Sequence, residues 1–333
     1  MKKRVLALVI SAAVFVTMSF GMTCTAFAGN ASIEKSSGNK STIRTISNGS
    51  YTINLSRAAT FYLYGEANSS VSVTSPSGST SYIYLGSDGY GGKYCNVKGY
   101  YTLNGSIDPQ KSVVAYAPKK NQKLKSGTKY LFGNSGTTAN TFTFKATKTG
   151  YLKIMKDNGL SCKYTLWKGK KKVANADPAY ASTGALFYGV TKGKTYKIKL
   201  APSYMDDYCY ALKLVNGKVK ETSGSKQGKA RSMKKKKTYK GTIQAGSAQT
   251  DWYKFKPKKT NSKLTIKGYT GSTIKVMYFC KGSGTSTKYT RTIYSPAQSG
   301  TISLYNSNKY ATWYVKVYRS NKYSSGYYTL KWK

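Results

Sequence analysis

The stretch Trp313-Tyr314-Val315-Lys316-Val317-Tyr318 alternates without a break. Trp313, Val315 and Val317 fall on one side, Tyr314, Lys316 and Tyr318 on the other. A period of two marks an extended strand with one buried face. The chain closes on the same theme, Tyr328, Leu330 and Trp332 against Tyr327, Thr329 and Lys331. Paired as a hairpin across the loop 319–325, the two strands would merge their outer faces into one surface carrying Tyr314, Lys316, Tyr318, Tyr327 and Lys331. That surface is the first candidate for ligand binding.

Working outward, Gly326-Tyr327-Tyr328-Thr329-Leu330 has a near copy in Gly99-Tyr100-Tyr101-Thr102-Leu103 and a looser one in Cys209-Tyr210-Ala211-Leu212. Opening segments match too: Thr60-Phe61-Tyr62-Leu63, Thr141-Phe142-Thr143-Phe144 and Trp252-Tyr253-Lys254-Phe255. A repeat of about 100 residues fits a β-sandwich better than a short-period solenoid. Composition agrees: with 32 tyrosines and only three glutamates (Glu34, Glu66 and Glu221) the chain favours pleated surfaces over helix. The expected fold is all-β, a tandem of small antiparallel, jelly-roll-like sandwiches. The boundaries read as a first, shorter unit over 41–107, a linker over 108–123, a second unit over 124–216, a linker over 217–232 and a third unit over 233–333. The linkers are marked by Asp108-Pro109, Pro118-Lys119-Lys120 and a Gly/Ser/Lys run.

The N-terminus reads as a secretory signal. Lys2, Lys3 and Arg4 precede a largely apolar stretch over 5–20, and Ala26-Phe27-Ala28 supplies a small-x-small cleavage site, so 1–28 is read as signal peptide and 29–40 as a disordered leader. No second hydrophobic span follows, which leaves the mature chain without a transmembrane segment. The expected location is extracellular or non-covalently wall-associated.

Fifty-five lysines and arginines face ten acidic residues, a formal charge of +45, with no histidine. An exported polycation is drawn to anionic polymers. Lysine gathers at Lys168-Gly169-Lys170-Lys171-Lys172, at Lys234-Lys235-Lys236-Lys237 and at Pro257-Lys258-Lys259, each beside a turn or linker. Singly, such runs keep edge strands soluble; together, with so little acid, they point to an electrostatic role.

Catalysis is poorly supplied. Without histidine, neither the Ser-His nor the Cys-His arrangement can be assembled, and the many Ser-Lys combinations single out none. The acids are scattered, mostly beside turn residues, and Asp206-Asp207, the adjacent pair, would point to opposite faces of a strand. No cofactor motif occurs. Cys95, Cys162, Cys209 and Cys280 lack metal-ligand spacing. Export would permit a Cys162–Cys209 disulfide; the strand phase, which turns Cys209 outward and Cys162 inward, opposes it unless a bulge intervenes.

The run Gly241-Thr242-Ile243, Asp251-Trp252-Tyr253-Lys254-Phe255, Leu264-Thr265-Ile266, Trp313 to Val317 and Ser325 to Leu330 resembles the bacterial pre-peptidase C-terminal domain, over essentially all of 233–333. The second unit is similar more loosely, through Thr141 to Phe144, Lys163 to Leu166 and Lys194 to Ile198, and the first departs further. The resemblance implies a small non-catalytic β-sandwich of exported proteins, some members of which bind protein or polysaccharide. The acidic cluster of its calcium-binding members is not evident here. Asp251 falls where the family has an acidic residue before the aromatic pair, and reads as a turn or strand-entry residue. The function expected is a secreted, cationic, non-catalytic adhesion protein whose partners are anionic polysaccharide, wall polymer or acidic protein, with nucleic acid bound only through phosphate attraction. The alternative is an exported hydrolase, or an accessory module of one, with a carboxylate or lysine site.

Overall fold

Alternation of aromatic or aliphatic residues with lysine and threonine builds 26 strands among the described residues of the computed structural model. These residues are 38, 42–133, 139–157, 162–175, 185–202, 209–257, 262–281, 288–294, 297–304 and 311–333. The signal segment, the leader apart from Gly38, Asp206-Asp207, Lys258-Lys259 and the side chain of Cys162 lie outside them, and with the last goes the Cys162–Cys209 pairing that the strand phase opposes.

The strands group into three pairs of sheets. The first pair uses β1 (Ile43–Thr45), β2 (Gly49–Leu55), β3 (Ala59–Tyr64), β4 (Ser70–Thr74), β5 (Thr80–Tyr84), β6 (Tyr90–Cys95), β7 (Gly99–Gly105) and β8 (Val113–Tyr116), in the orders β1-β8-β3-β6 and β2-β7-β4-β5. The second uses β9 (Gln122–Lys123), β10 (Lys129–Phe132), β11 (Asn140–Lys145), β12 (Gly150–Asp157), β13 (Cys162–Lys168), β14 (Lys171–Asn175), β15 (Ala185–Val190), β16 (Thr195–Pro202) and β17 (Tyr210–Lys218). Its sheets run β10-β17-β12-β15 and β14-β13-β16-β11-β9. The third uses β18 (Arg231–Ser232), β19 (Thr238–Ile243), β20 (Thr250–Phe255), β21 (Ser262–Thr270), β22 (Ile274–Lys281), β23 (Tyr289–Ile293), β24 (Ala297–Leu304), β25 (Thr312–Arg319) and β26 (Gly326–Trp332). Its sheets run β18-β20-β25-β22-β23 and β19-β26-β21-β24. The protein is thus all-β, and each sheet pair encloses its own apolar cluster.

The second and third units share one topology strand for strand, including the parallel entry of β9 on β11 and of β18 on β20. The repeated sequence segments occupy equivalent places: β3, β11 and β20 are each the third strand of their unit, and β7, β17 and β26 the last strand of the shared topology. The first unit lacks the hairpin that β13-β14 and β22-β23 supply, which accounts for its shorter sequence. Strand β8, arriving after the closing strand, completes its sheet against β3 and β1.

Three sequence readings are corrected here. The stretch 108–123 merges, as a linker leading into the next unit would, into β9 at Gln122–Lys123, but it also contains a strand of the first unit, Val113-Val114-Ala115-Tyr116, which is β8. All four residues of β8 are buried: Val114 and Tyr116 enter the first core, and Val113 and Ala115 pack against Leu131 and Ala211 of the second unit. Covered on both faces, the strand has no alternation to reveal it. Likewise β17 runs past residue 216 to Lys218, and β18 lies inside the stretch 217–232. Finally, β25 and β26 do not form a hairpin. They belong to opposite sheets, and the loop between them crosses the sandwich.

Junctions close some of the outer faces. Besides the contact through β8, Tyr151 and Phe187 on β12 and β15 meet Tyr327 and Tyr269 of the third unit, with ring centroids 5.2 Å apart for Tyr151–Tyr327 and 5.3 Å for Phe187–Tyr269. Gly189 pairs its backbone with the turn after β19: Ala245 N–H donates to Gly189 O at 3.0 Å, and Gly189 N–H donates to Ser325 Oγ at 2.8 Å. A Cβ on Gly189 would stand 2.4 Å from Ile243 O, so only glycine lets the two backbones meet.

Asn216, inside β17, ties the turn before β12. Its buried Oδ1 accepts from the backbone N–H of Thr147 at 3.0 Å and of Lys148 at 2.9 Å, and its amide donates to Lys148 O and Tyr151 O, each at 3.1 Å. Asn216→Ala strands several backbone groups at once, each costing about 1–3 kcal/mol when unsatisfied. It is expected to lower stability by about 2–4 kcal/mol in urea unfolding, with amide exchange at residues 147 and 148 accelerated first. Unchanged exchange there would refute this role.

Candidate polyanion interface and a buried acid pair

The five-stranded sheet of the second unit keeps its outer face open, and its register disposes lysines there. Phe142, Phe144, Tyr196, Ile198 and Leu200 point into the core, so the intervening Thr141, Thr143, Lys145, Lys197 and Lys199 point out. On β13, Tyr164 and Leu166 are buried, which turns Lys163, Thr165 and Trp167 outward. Lys197 stands opposite Trp167 on one side and Thr143 on the other, and Lys199 opposite Thr165 and Thr141. Between β11, β16 and β13 no lysine stands directly across from another, the arrangement that like charges would penalise; at the sheet's end Lys168 of β13 does pair with Lys171 of β14. The charges instead recur every second residue along a strand, roughly 7 Å apart.

Trp167 anchors this face. Lys199 Nζ lies 4.4 Å from the centre of its indole, and the indole N–H donates to Thr165 Oγ1 at 2.9 Å, which fixes the ring. Trp167, Gly169, Lys170, Lys197 and Lys199 line a hollow of about 230 Å³. Lys199 caps the indole face, so the hollow offers ammonium charge beside an aromatic ring, chemistry that suits an anionic group. None of the described residues lining the hollow is acidic.

The lysine run read from sequence is divided by the fold. Lys168, Lys170 and Lys171 form the exposed β13-β14 turn beside this hollow. Lys172 leans to the third unit, its Nζ 4.3 Å from the centre of the Tyr323 ring. Lys234, Lys235, Lys236 and Lys237 are exposed on the turn entering β19, where Lys236 adopts φ 63° and its N–H donates to Trp332 O at 2.8 Å. The surface expected from β25 and β26 is not one surface. Tyr314, Lys316 and Tyr318 do point outward, with Trp313, Val315 and Val317 buried as the alternation requires. Lys316 Nζ rests 4.9 Å from the Tyr318 ring centre and 5.5 Å from that of Trp252, and Tyr314 stacks on Phe279. Tyr327 and Lys331 lie on the far side of the sandwich. Tyr327 is held between Tyr151 and Tyr269 in the unit junction, so it is packing rather than an open ligand contact.

Two acids that the sequence left scattered come together. Asp251 is the second residue of β20, at the strand entry rather than a turn, and is fully buried. Its Oδ2 accepts from Tyr328 Oη at 2.6 Å, and its Oδ1 accepts from Gln249 Nε2 at 2.8 Å and Ser223 Oγ at 3.1 Å. The Tyr253 and Tyr328 hydroxyls are 3.0 Å apart. Glu221, from the segment joining the units, tucks in beside them: its Oε2 accepts from Thr242 N–H at 2.9 Å, while its buried Oε1 has no hydrogen-bond partner. The pair's meaning is set by an internal comparison. Asn140 in β11 and Tyr210 in β17 hold the positions of Asp251 and Tyr328, and Asn140 Nδ2 donates to Tyr210 Oη at 3.0 Å. A neutral amide does the same work there, so the Asp251–Tyr328 contact joins sheet to sheet and does not require charge. Desolvation and then the Asp251 charge push the Glu221 carboxyl up to about 7, and burial also raises Asp251. Three donors converge on the Asp251 carboxyl, whereas Thr242 donates to that of Glu221.

No family model matches the chain, and no curated protein matches it. Among solved structures it is similar to the turret protein of an archaeal virus described as a triple jelly roll, at 11% identity over 86% of this chain and 82% of that one with a TM-score of 0.20. It is also similar to a protein of Eubacterium rectale said to be secreted, at 13% identity over 65% and 80%, TM-score 0.22. A third is a cycloalternan-forming enzyme of Listeria monocytogenes, 11% identical over 85% of this chain and 29% of that one, TM-score 0.18. No helix among the described residues is long and apolar enough to cross a membrane.

The Glu221 carboxyl binds its proton more tightly in the folded chain than at its ordinary value of 4.5. Its contribution to stability is therefore complete below about pH 4.5 and is lost as pH rises through about 7. Glu221→Gln, which stays neutral, is expected to remove up to about 3 kcal/mol of that decline. Melting temperatures across pH 4 to 8 check this, and a decline of equal size in the variant would contradict it.

Proposed function

We propose that this chain is a secreted, non-catalytic binding protein that holds anionic polymers, such as a wall polymer, an acidic glycan or an acidic protein, against lysine-and-aromatic sheet faces. The observation that carries this reading is the open face of the second unit, where Lys197 and Lys199 flank Trp167 over a hollow of about 230 Å³. The face of the third unit bearing Tyr314, Lys316 and Tyr318 would add a second contact of the same chemistry. Multiple weak sites on one chain give avidity toward a polymer that no single site would reach. The signal-like N-terminus and the resemblance of 233–333 to an exported accessory domain support export, with the product extracellular or held at the wall without a covalent link.

A non-catalytic role is supported by the enclosure of Asp251, beside which Glu221 is partly exposed. Asp251, Tyr253 and Tyr328 have no exposed surface, so a substrate would have to enter the core to reach them. Nucleic acid would be attracted through its phosphates alone.

Retention of the secreted chain on an immobilised sulfated polysaccharide and on purified wall teichoic acid tests the reading. Binding is expected at low ionic strength, with release before about 1 M salt, where the screening length is about 3 Å. Lys197→Glu combined with Lys199→Glu should weaken retention about tenfold at roughly 0.15 M salt, more than replacing all of Lys234 to Lys237 by serine does. Equal binding by the double variant and the wild type would sink the assignment of this face.

A further inference from the structure

The outer face of the sheet β2-β7-β4-β5 in the first unit carries no charge at all. Register places one threonine from each strand in a single row: Thr52 opposite Thr102, Thr102 opposite Thr74, and Thr74 opposite Thr80. Their hydroxyls link in pairs, 3.2 Å apart for Thr52–Thr102 and 3.0 Å for Thr74–Thr80. The neighbouring row is Ser50, Asn104, Ser72 and Tyr82; beyond these lie Asn54 beside Tyr100, and Ser70 beside Tyr84. Each outward residue alternates with the inward side of its strand, where Ile53, Leu103, Val71 and Ile83 enter the core. Three tyrosines are exposed here, Tyr84 at 77%, Tyr100 at 67% and Tyr82 at 56%, with the Tyr82 and Tyr84 rings in contact at 6.5 Å between centroids.

The equivalent sheet of the third unit shows what this face has given up. Where the first unit has Thr52, Thr74 and Asn104, the third has Lys240, Lys267 and Lys331 in the same rows. Where Tyr100 is open, Tyr327 is covered by Tyr151. The same scaffold therefore presents a neutral face at one end of a chain whose formal charge is +45.

We infer that this face binds a neutral, uncharged polysaccharide lying across the sheet. Hydroxyl and amide groups in rows offer donors and acceptors to the hydroxyls of sugar rings, and exposed tyrosine rings supply rigid apolar surface for the ring faces at small entropic cost. An anionic polymer would find no cation here. A second copy of the chain would bring its own large positive charge against this one, which opposes face-to-face pairing. The site is separate from the cationic hollow around Trp167 and would serve a different portion of a mixed wall or matrix.

The test is retention of the chain on insoluble cellulose, chitin and starch in about 0.5 M sodium chloride, where attraction to charged material is screened. Wild type is expected to be retained by at least one of the three. Tyr84→Ala with Tyr100→Ala should cut that retention about tenfold or more, while binding to sulfated polysaccharide at low salt stays as in the wild type. Both tyrosines are exposed, and an unchanged melting temperature certifies the fold. The inference is overturned if none of the three polysaccharides retains the chain, or if the double variant is retained as well as the wild type. It is equally overturned if sedimentation shows a dimer that the double substitution dissolves, since a second copy would then occupy the face. Loss of binding to sulfated polysaccharide by the Lys197/Lys199 variant, with neutral binding intact, keeps the two sites distinguishable.

Discussion

Segregation of charge by the strand period is the constraint on which this molecule rests. Fifty-five cationic side chains and ten acidic ones cannot be paired with each other, and between described residues the structure closes one ion pair, Lys111 with Asp108 at 3.6 Å. The remaining charge must be held in water and held apart. Alternation does the first, turning every second residue outward while tyrosine, phenylalanine and aliphatic side chains fill the sandwiches. Threonine does the second on the β11-β16-β13 face, by standing across from Lys197 and Lys199. Aromatic rings absorb part of the rest, as Trp167 does for Lys199 and Tyr318 for Lys316.

Three copies of one sandwich then yield outer faces of different character. Apolar and aromatic faces are used up in joining the units: Leu131 and Ala211 against Val113 and Ala115, and Tyr151 and Phe187 against Tyr327 and Tyr269. Burial has an electrostatic cost at Lys153, where desolvation first and Lys213 second lower its pKa, and at Arg57, where desolvation does the same. The open face of β11-β16-β13 is cationic and that of β2-β7-β4-β5 neutral, while the outer face of β20-β25-β22 is partly closed by Ala230 over Trp252 and Phe279. A shared fold thereby carries several surface chemistries on a single chain, as expected when function lives on exchangeable outward positions of a fixed scaffold.

Much of this was legible in the sequence, and the failures have physical causes. The phase of Trp313 to Tyr318 and of Tyr327 to Trp332 followed from alternation, because each strand has one wet face. The matched openings at Thr60, Thr141 and Trp252 and the matched closings at Leu103, Leu212 and Leu330 lay in equivalent strands because the units repeat one topology. Sheet membership was not legible: β25 and β26 are neighbours in sequence, yet their loop crosses between layers, a choice fixed by packing. Strand β8 was hidden because burial on both sides erases the period of two. The meeting of Glu221 with Asp251 required knowing that the joining segment folds back over the third unit. The outward series Thr195, Lys197 and Lys199 did carry a signal; read for phase together with Trp167, it would have found the cationic hollow beside the lysine turn already singled out.

If uncompensated surface charge governs this protein, added salt should stabilise it. Raising sodium chloride from about 10 mM to about 150 mM shortens the screening length from about 30 Å to about 8 Å, which relieves self-repulsion without touching the apolar cores. The most direct measurement is the melting temperature of the chain across that range in the absence of any polymer. The account predicts a rise of several degrees that levels off toward the higher concentration. A melting temperature that stays flat or falls would mean that the cations are held in stabilising ion pairs, and would contradict it.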